Sequence, residues 1–306
     1  MRQKTLFFSL FNVVALSVVG IVLVGMLRVS NTTTSLKTSL GPVQGYTPGE
    51  KDGVRPPVVP NMTYHGGPVM AGVVNVYLIL WEPPGIAIDP NYNRLIGRYY
   101  NDVGGSGLYD INQQYAGFNG APVSAVIRGV WLDNTRADAY PRGILLSPLA
   151  IALEVQRAMR VNGWAPGISN YFPVYTSPTV GTTTPFCAYH NFINANPPTI
   201  FSHVVYPSEY YSRCQIQIRG WISPNNCVVC DSAISISAHE QFEAATDPLG
   251  TGWFYMSTAG EIGDLCQLTY GPLTLDQGKA NQEWNNAFYT IQMMWDNAQR
   301  SCQQSA

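Results

Sequence analysis

Between Thr5 and Leu27 the chain carries no ionisable side chain. An apolar run of about 23 residues, read as a helix, is long enough to cross roughly 30 Å of hydrocarbon. Arg2 and Lys4 precede the run, which places the N-terminus on the cytoplasmic side and everything after it outside. The segment therefore reads as an export element, residues 1–28. It is longer than the apolar core of a cleaved signal and no A-x-A site follows it, so an uncleaved anchor is favoured over a removed signal peptide. On this reading the folded part lies in an extracellular setting, free or membrane-anchored, and touches the membrane through the N-terminal helix only.

Export changes how the cysteines are read. Cys187, Cys214, Cys227, Cys230, Cys266 and Cys302 all fall in the second half of the chain. An even number in an oxidising compartment predicts three disulfides, with 15 pairings open in principle. Cys227-x-x-Cys230 also has the spacing of half a zinc knuckle, but no second pair with suitable spacing follows it. A bond between Cys266 and Cys302 would matter most, because it would tie the loop after Glu261 to the C-terminal helix.

Residues 29–61, rich in Ser, Thr, Pro and Gly, read as a flexible linker with little to bury. Residues 62–306 then form the extracellular domain. Within it, 72–81 reads as a central strand and 91–103 as a helix. A second strand is expected at 121–131, and a helix at 147–164 with Ser147 as its N-cap. Strands follow at 170–176 and 199–206, and the apolar stripe of 281–302 predicts a C-terminal helix. The fold class is α/β (α+β), with a mixed sheet. A net charge of −2 without any Lys/Arg run gives no basic field, so nucleic acid is not an expected partner. G-x-S-x-G, the Walker A loop and the dinucleotide-binding glycine loop are all absent, which leaves serine hydrolysis and nucleotide chemistry without support.

In a chain where only 12% of residues are charged, the stretch "ISISAHEQFEAATDP" from Ile234 to Pro248 stands out. On a helix, His239 and Glu243 lie one turn apart on the same face and offer an imidazole nitrogen and a carboxylate to one point. Glu240 is rotated by about 100° and lies beside that point, where it can act as general base on a metal-bound water. Downstream, "TAGEIGDLC" supplies Glu261 and Asp264. By analogy with thermolysin-like zincins, Glu261 is assigned as a metal ligand and Asp264 as the residue that orients the metal-binding histidine, with the exchanged roles as the alternative. The metal set is therefore His239, Glu243, Glu261 and Asp264, with Glu240 catalytic and zinc as the expected cation. One imidazole and two carboxylates can cancel the charge of a divalent ion and polarise its water less, which keeps Mn²⁺ and Ca²⁺ in view.

Asp247 reads as the residue that ends this helix before Pro248, and His65, His190 and His203 read as loop or packing histidines. His190 and His203 are each also alternative third ligands. Tyr255, between the two halves of the motif, reads as loop packing with Trp253 and Phe254.

The blocks "YHGGPVMAGVVNVYLILWEPPG", "FCAYH", "AHEQFEAATDPLGTGWF", "GEIGDLC" and "MMWDNAQRSC" resemble the phosphate-induced protein 1 (EXORDIUM-like) family and its bacterial relatives over about residues 62–302. That resemblance implies an exported protein associated with the cell wall. The H-E-x-x-E pattern implies a single zincin-like domain with an active-site helix. Three functions follow as expectations: an exported zinc metallopeptidase acting on a polypeptide or cell-wall substrate; a non-catalytic cell-surface protein with a structural metal; and a metal-independent carbohydrate-active enzyme using Glu240 and Glu261.

Overall fold

A computed structural model describes residues 38–43, 45–46, 61–135, 145–178, 180–258 and 260–306. The apolar run of 5–27 and most of the 29–61 linker lie outside the described residues. Among the described residues, no helix is long and apolar enough to cross a membrane.

Short strand β1 (Thr63–Tyr64) is followed by β2 (Gly72–Trp81), helix α1 (Tyr92–Asp102), a single turn α2 (Gly107–Asp110) and the long β3 (Pro122–Asp133). Next come β4 (Leu145–Leu146), α3 (Pro148–Asn162), β5 (Gly167–Thr176), β6 (Gly181–Thr182), β7 (Ala188–Ile193) and β8 (Thr199–Val204). The remaining elements are α4 (Val228–Thr246), β9 (Trp253–Phe254), β10 (Gln282–Trp284), β11 (Ala287–Tyr289), β12 (Met294–Asp296) and β13 (Ser301–Gln303).

The main sheet has five strands in the order β3-β2-β5-β8-β7. Its first three pairings are parallel, and β7 closes one edge antiparallel to β8. Both faces of the sheet are covered, as parallel strands require. In β2, Val74, Val76, Leu78 and Leu80 point into a core shared with α1 and α4, while Ile79 and Trp81 point into a second core under α3. One continuous apolar run therefore serves two layers. The mixed-sheet α/β class is the one expected from the sequence.

The predicted strands and helices before residue 210 lie where periodicity put them. Ser147 caps α3, its Oγ accepting the Ala150 N–H at 3.2 Å, and Gly163 ends it in the left-handed region at φ 69°. The expected C-terminal helix over 281–302 is replaced by two hairpins. Asn285 and Asn286 take positive φ of 50° and 61°, the conformation of a two-residue hairpin turn, and they pair Trp284 with Ala287. The apolar residues of this region alternate along short strands, and the same set read at helical spacing gave a false stripe.

All six cysteines are bonded: Cys187–Cys214, Cys227–Cys230 and Cys266–Cys302. The last joins the turn at Asp264–Cys266 to β13, not to a helix. Three disulfides in one domain suit an oxidising compartment.

Candidate metal centre

Helix α4 runs through the middle of the molecule, and nearly every residue from Cys230 to Thr246 is buried. It has no solvent face, which explains the Ser and Ala between its apolar residues: small side chains let it pack closely against neighbours on all sides. His239, Glu240 and Glu243 are all at 0% exposure, so their charges have no water to compensate them.

His239 Nε2 lies 3.0 Å from Glu243 Oε1 and 3.5 Å from Asp264 Oδ1. The Asp264 backbone N–H donates to Glu243 Oε1 at 3.0 Å, which fastens the downstream turn to the helix. Gly263 makes this approach possible, because a Cβ there would stand 2.6 Å from His239 Nδ1 and 2.9 Å from Glu243 Oε1. On the far side of the imidazole, Gln292 places its Nε2 3.1 Å from His239 Nδ1 and donates to the Gly263 carbonyl at 2.8 Å. Its Oε1 accepts from Leu268 N–H at 3.1 Å. Ligation through Nε2 puts the imidazole proton on Nδ1, so a bound cation requires the Gln292 amide to turn its oxygen toward the ring.

His190 enters from β7. Its Nδ1 lies 3.1 Å from Glu240 Oε2 and 3.6 Å from Glu243 Oε2, and its Nε2 lies 3.7 Å from Glu261 Oε2. Two clusters result, His239–Glu243–Asp264 and His190–Glu240–Glu243, each with ligand atoms within 4.8 Å of one another. Glu243 belongs to both. A third grouping, Asp89 with Cys227 and Cys230, offers no thiolates because the two sulfurs are bonded to each other.

All four metal-set residues expected from the sequence are in this neighbourhood, with Glu240 beside them. Asp264 stands on the Nε2 side of His239, and the Nδ1 side belongs to Gln292. Glu261 faces His190. Asp247 ends α4 as expected, its Oδ1 accepting the Thr251 and Gly252 N–H groups at 2.6 Å each. His65 stacks on Phe254, and His203 bonds Thr176, both away from the cluster. Tyr255 ties its backbone N–H to Gly260 within the loop. His190 had a weak sequence signal, as one of four histidines and a neighbour of Cys187, whereas Gln292 had none.

The electrostatics point to a cation. Among the described residues, no Lys or Arg pairs with any carboxylate of the cluster; the ion pairs that involve Arg or Lys lie elsewhere. Burial raises Glu261 well above the usual carboxylate range, and Glu243, Asp247, Asp264 and Glu240 add to the shift. Burial likewise raises Glu243, to about 7, with Asp264 adding to the shift and His239 opposing it. For His239, burial opposes protonation, but the Glu243 and Asp264 carboxylates outweigh it and raise the group well above its ordinary value. His190 is raised too, burial being overcome first by its hydrogen bond to the Glu240 carboxylate.

Among the buried atoms without a hydrogen-bond partner in the described residues, which occur in several parts of the molecule, His239 Nε2 and Glu243 Oε2 lie here. His239 Nε2 is close to Glu243 Oε1 but not aligned with it as a hydrogen bond is. Unpaired buried polar atoms are costly, and these two belong to a cluster whose oxygen and imidazole ligand atoms lie within 4.8 Å of one another. That donor set fits a divalent ion of the Zn²⁺ to Mn²⁺ range. Comparison with protein-family models, curated proteins and solved structures returns no match.

Proposed function

We propose that this chain is an exported, metal-dependent hydrolase of zincin-like design that cleaves peptide bonds, with zinc as its cation. The observation that carries the reading is the convergence of His239, Glu243 and Asp264 ligand atoms within 4.8 Å of one another at one end of α4, with no Lys or Arg paired to them among the described residues. His239, Glu243 and Asp264 would hold the ion, and Glu261 would adjoin it on the His190 side. When bound, such an ion acts as a Lewis acid that acidifies water and polarises a carbonyl.

The remaining work falls to the chain's own side chains. Glu240 takes the proton of the attacking water and returns it to the departing amine. His190, bonded through Nδ1 to Glu240 Oε2, holds that carboxylate in place. Its raised affinity for a proton also brings positive charge to a site where negative charge develops on the substrate oxygen.

The test uses the full chain. Elemental analysis is expected to find a tightly held divalent ion, and Glu240→Gln to keep that ion while hydrolysis of an unfolded protein substrate falls by roughly 10²–10⁴-fold. A chain that binds no divalent ion, or a Glu240→Gln form as active as the original, overturns the reading. One observation favours a second reading. With His239, Glu240, Glu243 and Glu261 all fully buried, the cation can serve as a structural staple in a non-catalytic protein. In that case Glu240→Gln changes thermal stability and there is no hydrolysis to lose.

A further inference from the structure

One of the groups that cover Glu240 comes from outside the main sheet and helices. Residues 38–43 and 45–46, from the stretch read as linker, lie along the free edge of β7. Leu40 bridges Ile193 antiparallel, and the Gly41 N–H donates to the Phe192 carbonyl at 3.1 Å. The Asn194 N–H donates to Ser39 O and the Cys187 N–H to Tyr46 O, each at 2.8 Å. The segment thus runs the length of β7 in the opposite direction, with Leu40 and Val43 packed on the second core. A spacer with nothing to bury does not do this.

The segment ends on the metal centre. The Tyr46 backbone N–H donates to Glu240 Oε1 at 3.0 Å, and the Tyr46 ring stands edge-on to His239 with centroids 5.1 Å apart. The Tyr46 hydroxyl bonds Tyr270, and the residue is buried. The Tyr46 N–H therefore puts a main-chain nitrogen beside the carboxylate proposed as general base.

We propose that the edge of β7 is the binding groove for an extended polypeptide, and that residues 38–46 are a built-in pseudosubstrate that keeps the site closed until they are displaced. The occupancy stands on backbone hydrogen bonds, and the claim that a cleavable substrate replaces it rests on the hydrolase reading above. A sheet edge offers alternating N–H and C=O groups, which another backbone in extended form satisfies and a sugar does not. Two glycines set the strap's fit. A Cβ on Gly41 would run into the Phe192 ring, and one on Gly45 into the Ala188 carbonyl and Tyr189 Cβ. Glycines in a strand also weaken it, which suits an occupant that must give way.

The experiment uses the full chain carrying Gly41→Val and Gly45→Val together, neither of which touches the metal centre. A second form keeps the native strap and carries a specific protease site inserted after Gly49, cut after folding. Amide hydrogen exchange at Cys187 and Asn194 reports the strap, elemental analysis reports the cation, and cleavage of an unfolded polypeptide reports the site. The expected result is exchange at both amides faster by roughly tenfold or more, unchanged cation content, and kcat/KM raised roughly tenfold or more. The synthetic peptide TSLGPVQGY, added back, reverses the gain. If both forms keep the wild-type protection, or if the freed edge does not bind the peptide, the proposal is overturned, whatever the hydrolytic activity. A freed edge that binds the peptide in a metal-loaded protein that hydrolyses nothing supports the groove and sinks the hydrolase reading instead.

Discussion

Glu243 has one oxygen beside His239 and the other beside His190, so it joins two half-sites through a single side chain. The close fit around it rests on Gly263, where any side chain would press on both His239 and Glu243. Gly263→Ala is therefore expected to weaken cation binding about 10–100-fold, as losses around metal ligands commonly do, with the three disulfides intact. A chelator competition titration measures it. Away from the site, His203 is buried without a charged partner, and burial lowers its pKa to about 3. A histidine depressed in the folded state stabilises above its unfolded pKa near 6.5 and loses that contribution as pH falls toward 3. His203→Gln is expected to flatten the acid side of the stability curve, followed by urea unfolding between pH 4 and 7. The local residues of the site were legible in the sequence because helical spacing alone puts His239 beside Glu243. Gln292 and Gly263 were not, because their places depend on a turn and a hairpin folding back from 20 to 53 residues away, and no local pattern encodes that.

At the scale of elements, α4 and β7 build the site between them, and the Cys266–Cys302 bond holds the third wall. The backbone N–H of Trp295 donates to Ile262 O at 3.0 Å, so the β12–β13 hairpin and the Glu261–Asp264 turn are joined by both a hydrogen bond and a disulfide. Replacing both cysteines with serine is expected to cost roughly 2–4 kcal/mol, by analogy with loops of this length, measured by chemical denaturation. Cation affinity should fall with it, because Asp264 loses its anchorage. The sequence points to this pairing, while its apolar stripe points to a helix where β13 stands. Strands β2, β5 and β8 were readable because buried parallel strands are long apolar runs. The C-terminal hairpins have strands of three residues, too short for period-two alternation to outweigh a chance helical stripe. The real signal was Asn285-Asn286, a pair that accepts the left-handed backbone of a tight turn.

For the molecule as a whole, a carboxylate cluster with no Lys or Arg paired to it among the described residues makes stability depend on pH and on metal together. Glu243 and Glu261 are both raised, so the folded state binds more protons than the unfolded chain above pH 4.5. The sign follows: in chelator-treated protein, the contribution of these two carboxyl groups is fullest below pH 4.5 and falls as pH climbs through about 7, where Glu243 ionises. Saturating Zn²⁺ is expected to remove that slope, and a thermal melting series from pH 5 to 8, with and without the ion, checks it. An unchanged slope would mean the cluster does not take up the ion. The strap over β7 has a bearing on solubility as well. A bare, flat strand edge invites copies of the same chain to zip together, and here residues 38–43 and 45–46 cover that edge from within. Once they are pulled away, sedimentation should find dimers and larger oligomers growing with concentration, so whatever unlocks the groove also makes the protein prone to polymerise unless another chain promptly takes the vacated row.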